Sequence, residues 1–244
     1  MKAVVTAGGR VDAAYAGLAG TDVKALARTG GVSMLDRILD ALRGAGVHRI
    51  AVVGGSQVRD ACAHRVERVI DESASGGENI LRALHAWPDD DDELIYATSD
   101  LPYVTAAAVG DFLDRVPDGA IAMSICEQAA FDQRFPDAPP FGITLGGERV
   151  VNGGIFSLPC GSCAPVGALA TRFFAARKTP WRMAGLVSPL ALVRLLTGRL
   201  RIAHVEAEAE RALGVAARAV RGCAAELAFD ADTVAEYRYA CENP

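Results

Sequence analysis

The sequence predicts an α/β protein with a three-layer αβα build and a mixed, mainly parallel sheet. Three observations lead there. Apolar runs of strand length alternate with stretches whose apolar residues recur at helical spacing. The chain is 51% hydrophobic but only 6% aromatic, and Ala, Val and Leu dominate, a mix suited to helices packed on a parallel sheet. Glycine- and aspartate-bearing turns follow the predicted strands, at the ends where such sheets bind ligands.

The elements follow in order. Lys2–Thr6 is an apolar strand running into Ala7-Gly8-Gly9-Arg10. A loop of small residues leads to Lys24. Residues 33–44 carry Met34, Leu35, Ile38, Leu39 and Leu42 on one helical face, with Ser33 as cap and Asp36 favourable to the dipole. Strands follow at 48–53 and 66–70, and Gly76-Gly77 opens a helix over 78–87. The segment 88–93, PDDDDE, looks like a metal site but reads better as a solvated turn before a strand. A strand at 93–98 ends in Ser99-Asp100, Thr105 caps a helix over 105–116, and 120–126 is a strand. The turn-rich FDQRFPDAPPFGI reads as a loop over the site, with Arg134 and Phe135 in that lid. Residues 149–158 read as a strand interrupted at Gly153-Gly154. Helices are expected at 166–177, 181–186 and 189–196, sheet-like sequence at 224–229, and a last helix after Thr233. No repeat or low-complexity linker divides the chain, so we expect one domain over residues 1–244 with a helical portion around 160–215.

Composition narrows the partners. A formal net charge of −5 argues against a nucleic-acid partner. No apolar run reaches membrane-spanning length, and the N-terminus lacks a signal-peptide pattern, so a cytoplasmic protein with no membrane partner is expected. Of the six cysteines only Cys160 and Cys163 form a CxxC, and no second CxxC or HxxxH completes a zinc site. The Gly-Ser between them reads as a turn.

Three pieces carry the chemistry. A glycine pair after a buried strand lets backbone N–H groups approach phosphate oxygens without a Cβ in the way. Neither the Gly-Lys-Ser/Thr close of a P-loop nor G-x-G-x-x-G is present, and Gly54-Gly55 does not supply the latter. Lys24, ahead of Gly30-Gly31, can reach phosphates as a point charge. Asp100 arrives at a strand end, where a carboxylate can hold Mg²⁺ together with phosphate oxygens.

In that order, with Gly77-Glu78-Asn79 at a helix start and TSDLP after the fourth predicted strand, the chain resembles the MobA-like nucleotidyltransferases of the GT-A-like fold. The closing FDADTVAEY is similar to that group's D-x-D-T-x-x-D/E segment. The resemblance implies nucleotide contacts at Ala7, Gly8, Gly9 and Arg10, with Lys24 on the phosphates. It places Asp71, Gly77 and Asn79 around base and ribose. Asp100 would bind Mg²⁺, aided by Asp230 or Asp232. Lys24 and Asp100 would be the catalytic pair. Asn152-Gly153-Gly154 is similar to the turn lining the acceptor pocket of related transferases. The basic cluster Arg172, Arg177, Lys178 and Arg182 reads either as a grip on a phosphorylated acceptor or, more plainly, as a basic helix surface. The chain departs from the group's pattern where Arg10 follows Gly9 directly and the loop to Lys24 is longer.

The implied function is Mg²⁺-dependent transfer of an NMP group from a nucleoside triphosphate to a small phosphorylated acceptor, with release of pyrophosphate. A glycosyltransferase of the same fold commonly shows D-x-D at the strand end, which Ser99-Asp100-Leu101 does not supply. A non-catalytic nucleotide-binding protein is the other alternative, and retention of both Lys24 and Asp100 speaks against it.

Overall fold

The structure, a computed structural model, describes residues 1–90, 92–176, 179 and 185–244. It has the predicted layered build. Strands β1 (Lys2–Thr6), β4 (Arg49–Gly54), β5 (Arg68–Asp71), β6 (Leu94–Thr98), β7 (Ile121–Glu127), β9 (Glu148–Leu158) and β10 (Ala217–Val220) lie in the order β10-β7-β9-β6-β1-β4-β5. A short β8 (Ile143–Leu145) pairs with β9. The pairs β1–β4, β1–β6, β4–β5 and β7–β10 are parallel, whereas β9 runs antiparallel to β6, β7 and β8. Register brings Thr6 level with Val53 and Thr98. The chain therefore leaves β1, β4 and β6 along one sheet edge.

Side chains alternate across the strands, so each strand feeds both faces. Ala3, Val5, Val52 and Ile95 meet α2 (Met34–Gly44) and α5 (Ala106–Asp114) through Leu35, Ile38, Leu39, Leu42, Val109 and Phe112. Val4, Ala51, Val53 and Leu94 face α4 (Gly76–Leu84) and α7 (Cys163–Ala176) through Ala83, Leu84 and Val166. Ser33 and Thr105 cap α2 and α5 with their hydroxyls, as their sequence positions predict.

Several expectations are corrected. The small-residue loop before Lys24 contains a helix, α1 (Ala13–Ala19), capped by Asp12 and ended by Gly20 in the left-handed region. An unpredicted α3 (Ser56–Cys62) and a two-stranded hairpin, β2 (Arg28–Thr29) with β3 (Val32–Ser33), also form. Only the start of the presumed lid, residues 131–134, is helical, as the end of α6 (Gln128–Arg134), while 135–142 form the expected loop; Phe131 and Phe135 sit one helical turn apart and both bury in an aromatic cluster. β9 continues through Gly153 and Gly154, but its ladder with β7 shifts register there, from Met123 opposite Phe156 to Ile125 opposite Asn152, so the expected interruption is a bulge and not a chain break. These glycines make room rather than a turn, since a Cβ at Gly153 would sit 2.1 Å from Ser124 Oγ and one at Gly154 2.5 Å from Thr98 Oγ1.

The sheet-like stretch at 224–229 is a short 3-10 turn, Ala225–Leu227, and the edge strand is the preceding β10. Asp90 in the acidic run is not simply solvated: its carboxylate meets the buried Lys2 ammonium at 2.7 Å. Helices α8 (Pro189–Leu196), α9 (Ile202–Leu213) and α10 (Val234–Glu242) complete the chain. The expected helix at 181–186 and the basic residues Arg177, Lys178 and Arg182 fall wholly or largely outside the described residues. Among the described residues no helix is long and apolar enough to cross a membrane.

Candidate active site

The site forms where β1, β5 and β6 release the chain. After β1 the backbone turns past Gly8 and Gly9 and pairs antiparallel with residues 22–24. The Lys24 N–H donates to Gly9 O at 2.9 Å and the Val11 N–H to Asp22 O at 3.0 Å. The long spacing to Lys24 is thus folded away as α1, and the lysine returns to the glycines. A Cβ on Gly9 would lie 3.3 Å from Lys24 Cε. Among the described residues the N–H groups of Gly8 and Gly9 meet no backbone acceptor. The Ala7 N–H, by contrast, is held by Val53 O at 2.8 Å.

Lys24 then crosses to the acidic side. Its Nζ donates to Asp100 Oδ2 at 2.6 Å and also to Asp232 Oδ1. Partial burial pulls the ammonium's pKa down, but the charges and hydrogen bonds of Asp100 and Asp232 outweigh it and hold the pKa above the usual lysine range. Asp100 Oδ1 is buried and finds no hydrogen-bond partner among the described residues. A bare buried carboxylate oxygen is costly to leave without a partner, so it marks a place for a ligand.

The C-terminal segment closes the site. The Ala231 N–H donates to Asp100 O at 3.0 Å, which sets Asp230 and Asp232 on either side of a buried Ala231. Thr233, not either aspartate, caps α10, in a box with Glu236. Phe229 anchors the segment from behind, packed between Phe135 (5.0 Å between ring centres), Tyr103 (5.0 Å) and Tyr239 (5.6 Å). Asp100, Asp230, Asp232, Asn152, Gly153 and Gly154 all line one cavity of about 260 Å³. Burial, then the charges of Asp232 and Asp100, push the Asp230 carboxyl up to about 7.

The glycine loop has a second wall. The Glu72 carboxylate lies over Gly8, where a Cβ would come within 2.1 Å of Glu72 Oε2, and Arg10 fixes it with an ion pair of 2.6 Å. Asp71 does not join this group. Its side chain is 79% exposed and pairs with Arg59 at 2.6 Å. Period-two alternation explains the swap: at the end of β5, neighbouring side chains point to opposite faces. Asn79 lies beside the glycine loop, its Nδ2 3.3 Å from where a Cβ on Gly8 would sit, and its side chain also ties down the preceding loop, accepting from the Ser73 N–H (2.6 Å) and donating to Ser73 O (3.2 Å). Gly77 is buried in the first turn of α4.

Donor chemistry decides whether a divalent cation suits the site. Among the described residues no three His, Cys, Asp or Glu side chains converge tightly enough to cage a metal alone. One point, the Lys24 Nζ position, is nevertheless within bonding reach of both Asp100 and Asp232. That matches Mg²⁺, which typically takes one or two carboxylates and draws its remaining oxygens from phosphates and water.

The family model for the MobA-like NTP transferase domain matches residues 3–222. The chain belongs to this family. Membership places it among the nucleotidyltransferases. A hypothetical transferase from Thermus thermophilus is 31% identical, with a TM-score of 0.84 over 97% of this chain and 100% of that one. More distant structures share the fold. The 2-C-methyl-D-erythritol 4-phosphate cytidylyltransferase, also from Thermus thermophilus, is 15% identical, with a TM-score of 0.56 over 99% and 97% of the two chains. The CTP:phosphocholine cytidylyltransferase from Streptococcus pneumoniae is 10% identical, with a TM-score of 0.57 over 99% and 98%. No curated protein is a detectable sequence relative. The match ends at residue 222, short of Asp230 and Asp232.

Proposed function

We propose that this MobA-like transferase moves an NMP group from a nucleoside triphosphate to a small phosphorylated acceptor and releases pyrophosphate. The observation that carries the reading is the Lys24 ammonium, held between Asp100 and Asp232 and beside Gly9. Gly9 lies against Lys24, and Lys24 reaches the carboxylates that line the cavity, so backbone amides, an ammonium and acidic side chains adjoin, which is the set a triphosphate and its counter-ion require. The distant structures add support: two are cytidylyltransferases whose names carry a phosphorylated compound.

In the reaction a phosphate oxygen of the acceptor attacks the α-phosphorus. The new P–O bond forms as the bond from the α-phosphorus to the bridging oxygen breaks, and pyrophosphate leaves with that electron pair. A phosphate nucleophile is already ionised at neutral pH, so no general base is needed. Among the described residues no histidine lines the cavity. The work left to the chain is alignment and neutralisation of charge. The N–H groups of Gly8 and Gly9 donate to triphosphate oxygens. Lys24 leaves its carboxylates for the β- and γ-phosphates and neutralises the departing pyrophosphate. Asp100 and Asp232, freed of the lysine, would hold Mg²⁺, which supplies Lewis-acid charge neutralisation at the phosphates when bound. Glu72, positioned by Arg10, takes the base-and-ribose side that the family resemblance assigns to Asp71. Asn152, Gly153 and Gly154 border the acceptor.

The test is pyrophosphate release with each of the four common NTPs, Mg²⁺ and a panel of sugar, alcohol and pterin phosphates. At least one combination should turn over, and Asp100→Asn should slow it by about 10²–10³-fold. Full turnover in that variant, or no stabilisation by any NTP with Mg²⁺, would defeat the assignment.

A further inference from the structure

Phe156 lines the acceptor cavity, and it also lines a second cleft of about 280 Å³. This cleft runs along the sheet face below α4 and α7. Its walls include Leu84 of α4, Tyr96 and Phe156 of the sheet, Leu169 and Phe173 of α7, and Leu213 at the end of α9. Among the described residues every lining side chain is hydrocarbon except for the Tyr96 hydroxyl, and that group is engaged with Thr6 Oγ1 at 3.0 Å. Water there would find almost none of the two to four polar partners it needs. Protein interiors are normally filled to crystal-like density. An apolar space of about 150 Å³ is already enough to take benzene, so this cleft has room for a longer hydrocarbon. Phe173 stands at its mouth, 45% exposed.

We propose that the acceptor is amphiphilic: its phosphate end lies by Asn152 and Gly154, and an alkyl chain passes Phe156 into this cleft. The inference rests on the nucleotidyltransferase reading of the neighbouring cavity and names the substrate class for it. The polar cavity and the apolar cleft meet at one ring, so a single molecule with a charged head and a hydrocarbon tail satisfies both. A short polar acceptor such as a free sugar phosphate would leave the cleft unfilled.

The experiment measures binding of n-alkyl monophosphates from ethyl to decyl, below their micelle concentrations, by calorimetry. The protein is the full chain with Mg²⁺ and a non-hydrolysable NTP analogue. Affinity should rise about fourfold per methylene, equivalent to about 0.8 kcal/mol, and level off once the cleft is full. Phe173→Glu should flatten that rise and cut octyl phosphate affinity at least about tenfold. Leu196→Glu, at an exposed leucine on α8 outside the cleft, should leave it intact. Affinity independent of chain length, or a rise that survives Phe173→Glu, overturns the proposal. Thermal stabilisation by the NTP analogue in the same samples separates the two readings. If it persists while alkyl length has no effect, only the amphiphilic acceptor fails. If it is absent, the nucleotidyltransferase reading fails and takes this proposal with it.

Discussion

Three carboxyl groups, those of Asp100, Asp230 and Asp232, share a partly buried cavity, and burial together with the neighbouring charges favours the protonated form of Asp230. Its carboxyl titrates near 7 in the folded chain, against an ordinary value of about 3.8. Between these two values the folded state holds a proton that the unfolded state has lost, so stability falls as pH rises through about 4 to 7 and is level above. In EDTA, Asp230→Asn should therefore be more stable than the parent at pH 8, by on the order of 1–2 kcal/mol after allowing for solvent screening. The advantage should vanish near pH 4. Urea midpoints across that range measure it. Gly8 offers a second test at this scale. Gly8→Ala pushes the flexible end of Glu72 off the loop, so NTP affinity should drop about tenfold, on the order of 1.4 kcal/mol. The melting temperature without ligand should barely move. Glu72 itself was hard to see in the sequence, because Asp71 precedes it and only the strand's alternation decides which of the two carboxylates turns inward.

Among the elements, those with strong local signals were legible: β1, α2 and α5 declare themselves by apolar period and a capping hydroxyl. The failures share a cause. α1 is built from alanine, glycine, one leucine and one tyrosine, and its buried anchor is Tyr15, which stacks on Tyr237 at 4.7 Å. β10 alternates two alanines with Arg218 and Val220 at the sheet edge, too short for a period to show. α6 was hidden by the Pro136 and Gly142 that follow it, although its Phe131 faces the core. Tertiary partners far along the chain, rather than local propensity, decide all three. Two consequences are measurable. Phe131→Ala should cost about 3–5 kcal/mol of stability and release Phe229, and with it Asp230. Tyr237→Ala removes both the Tyr15 stack and the hydrogen bond to Arg28 O at 2.9 Å. Amide exchange across residues 22–28 should then accelerate, and NTP affinity should fall without any change to a phosphate-contacting group.

For the whole molecule, ligand binding and folding are one linked equilibrium. An NTP with Mg²⁺ at about 100 times its Kd adds roughly 2.7 kcal/mol, which for a chain of 244 residues corresponds to about 5–10 °C in Tm. Asp100→Asn should lose most of that shift while keeping its own ligand-free Tm within a few degrees, and scanning fluorimetry reads both.

Lys24 and Asp232 are 208 residues apart, and Tyr15 and Ala231 are 216 apart. A ribosome adding about 5–20 residues per second presents the glycine–lysine segment about 10–40 s before its acidic counterpart emerges. During that interval the nascent protein has half a clamp. Activity can appear only after Asp232 has left the ribosome and joined Lys24.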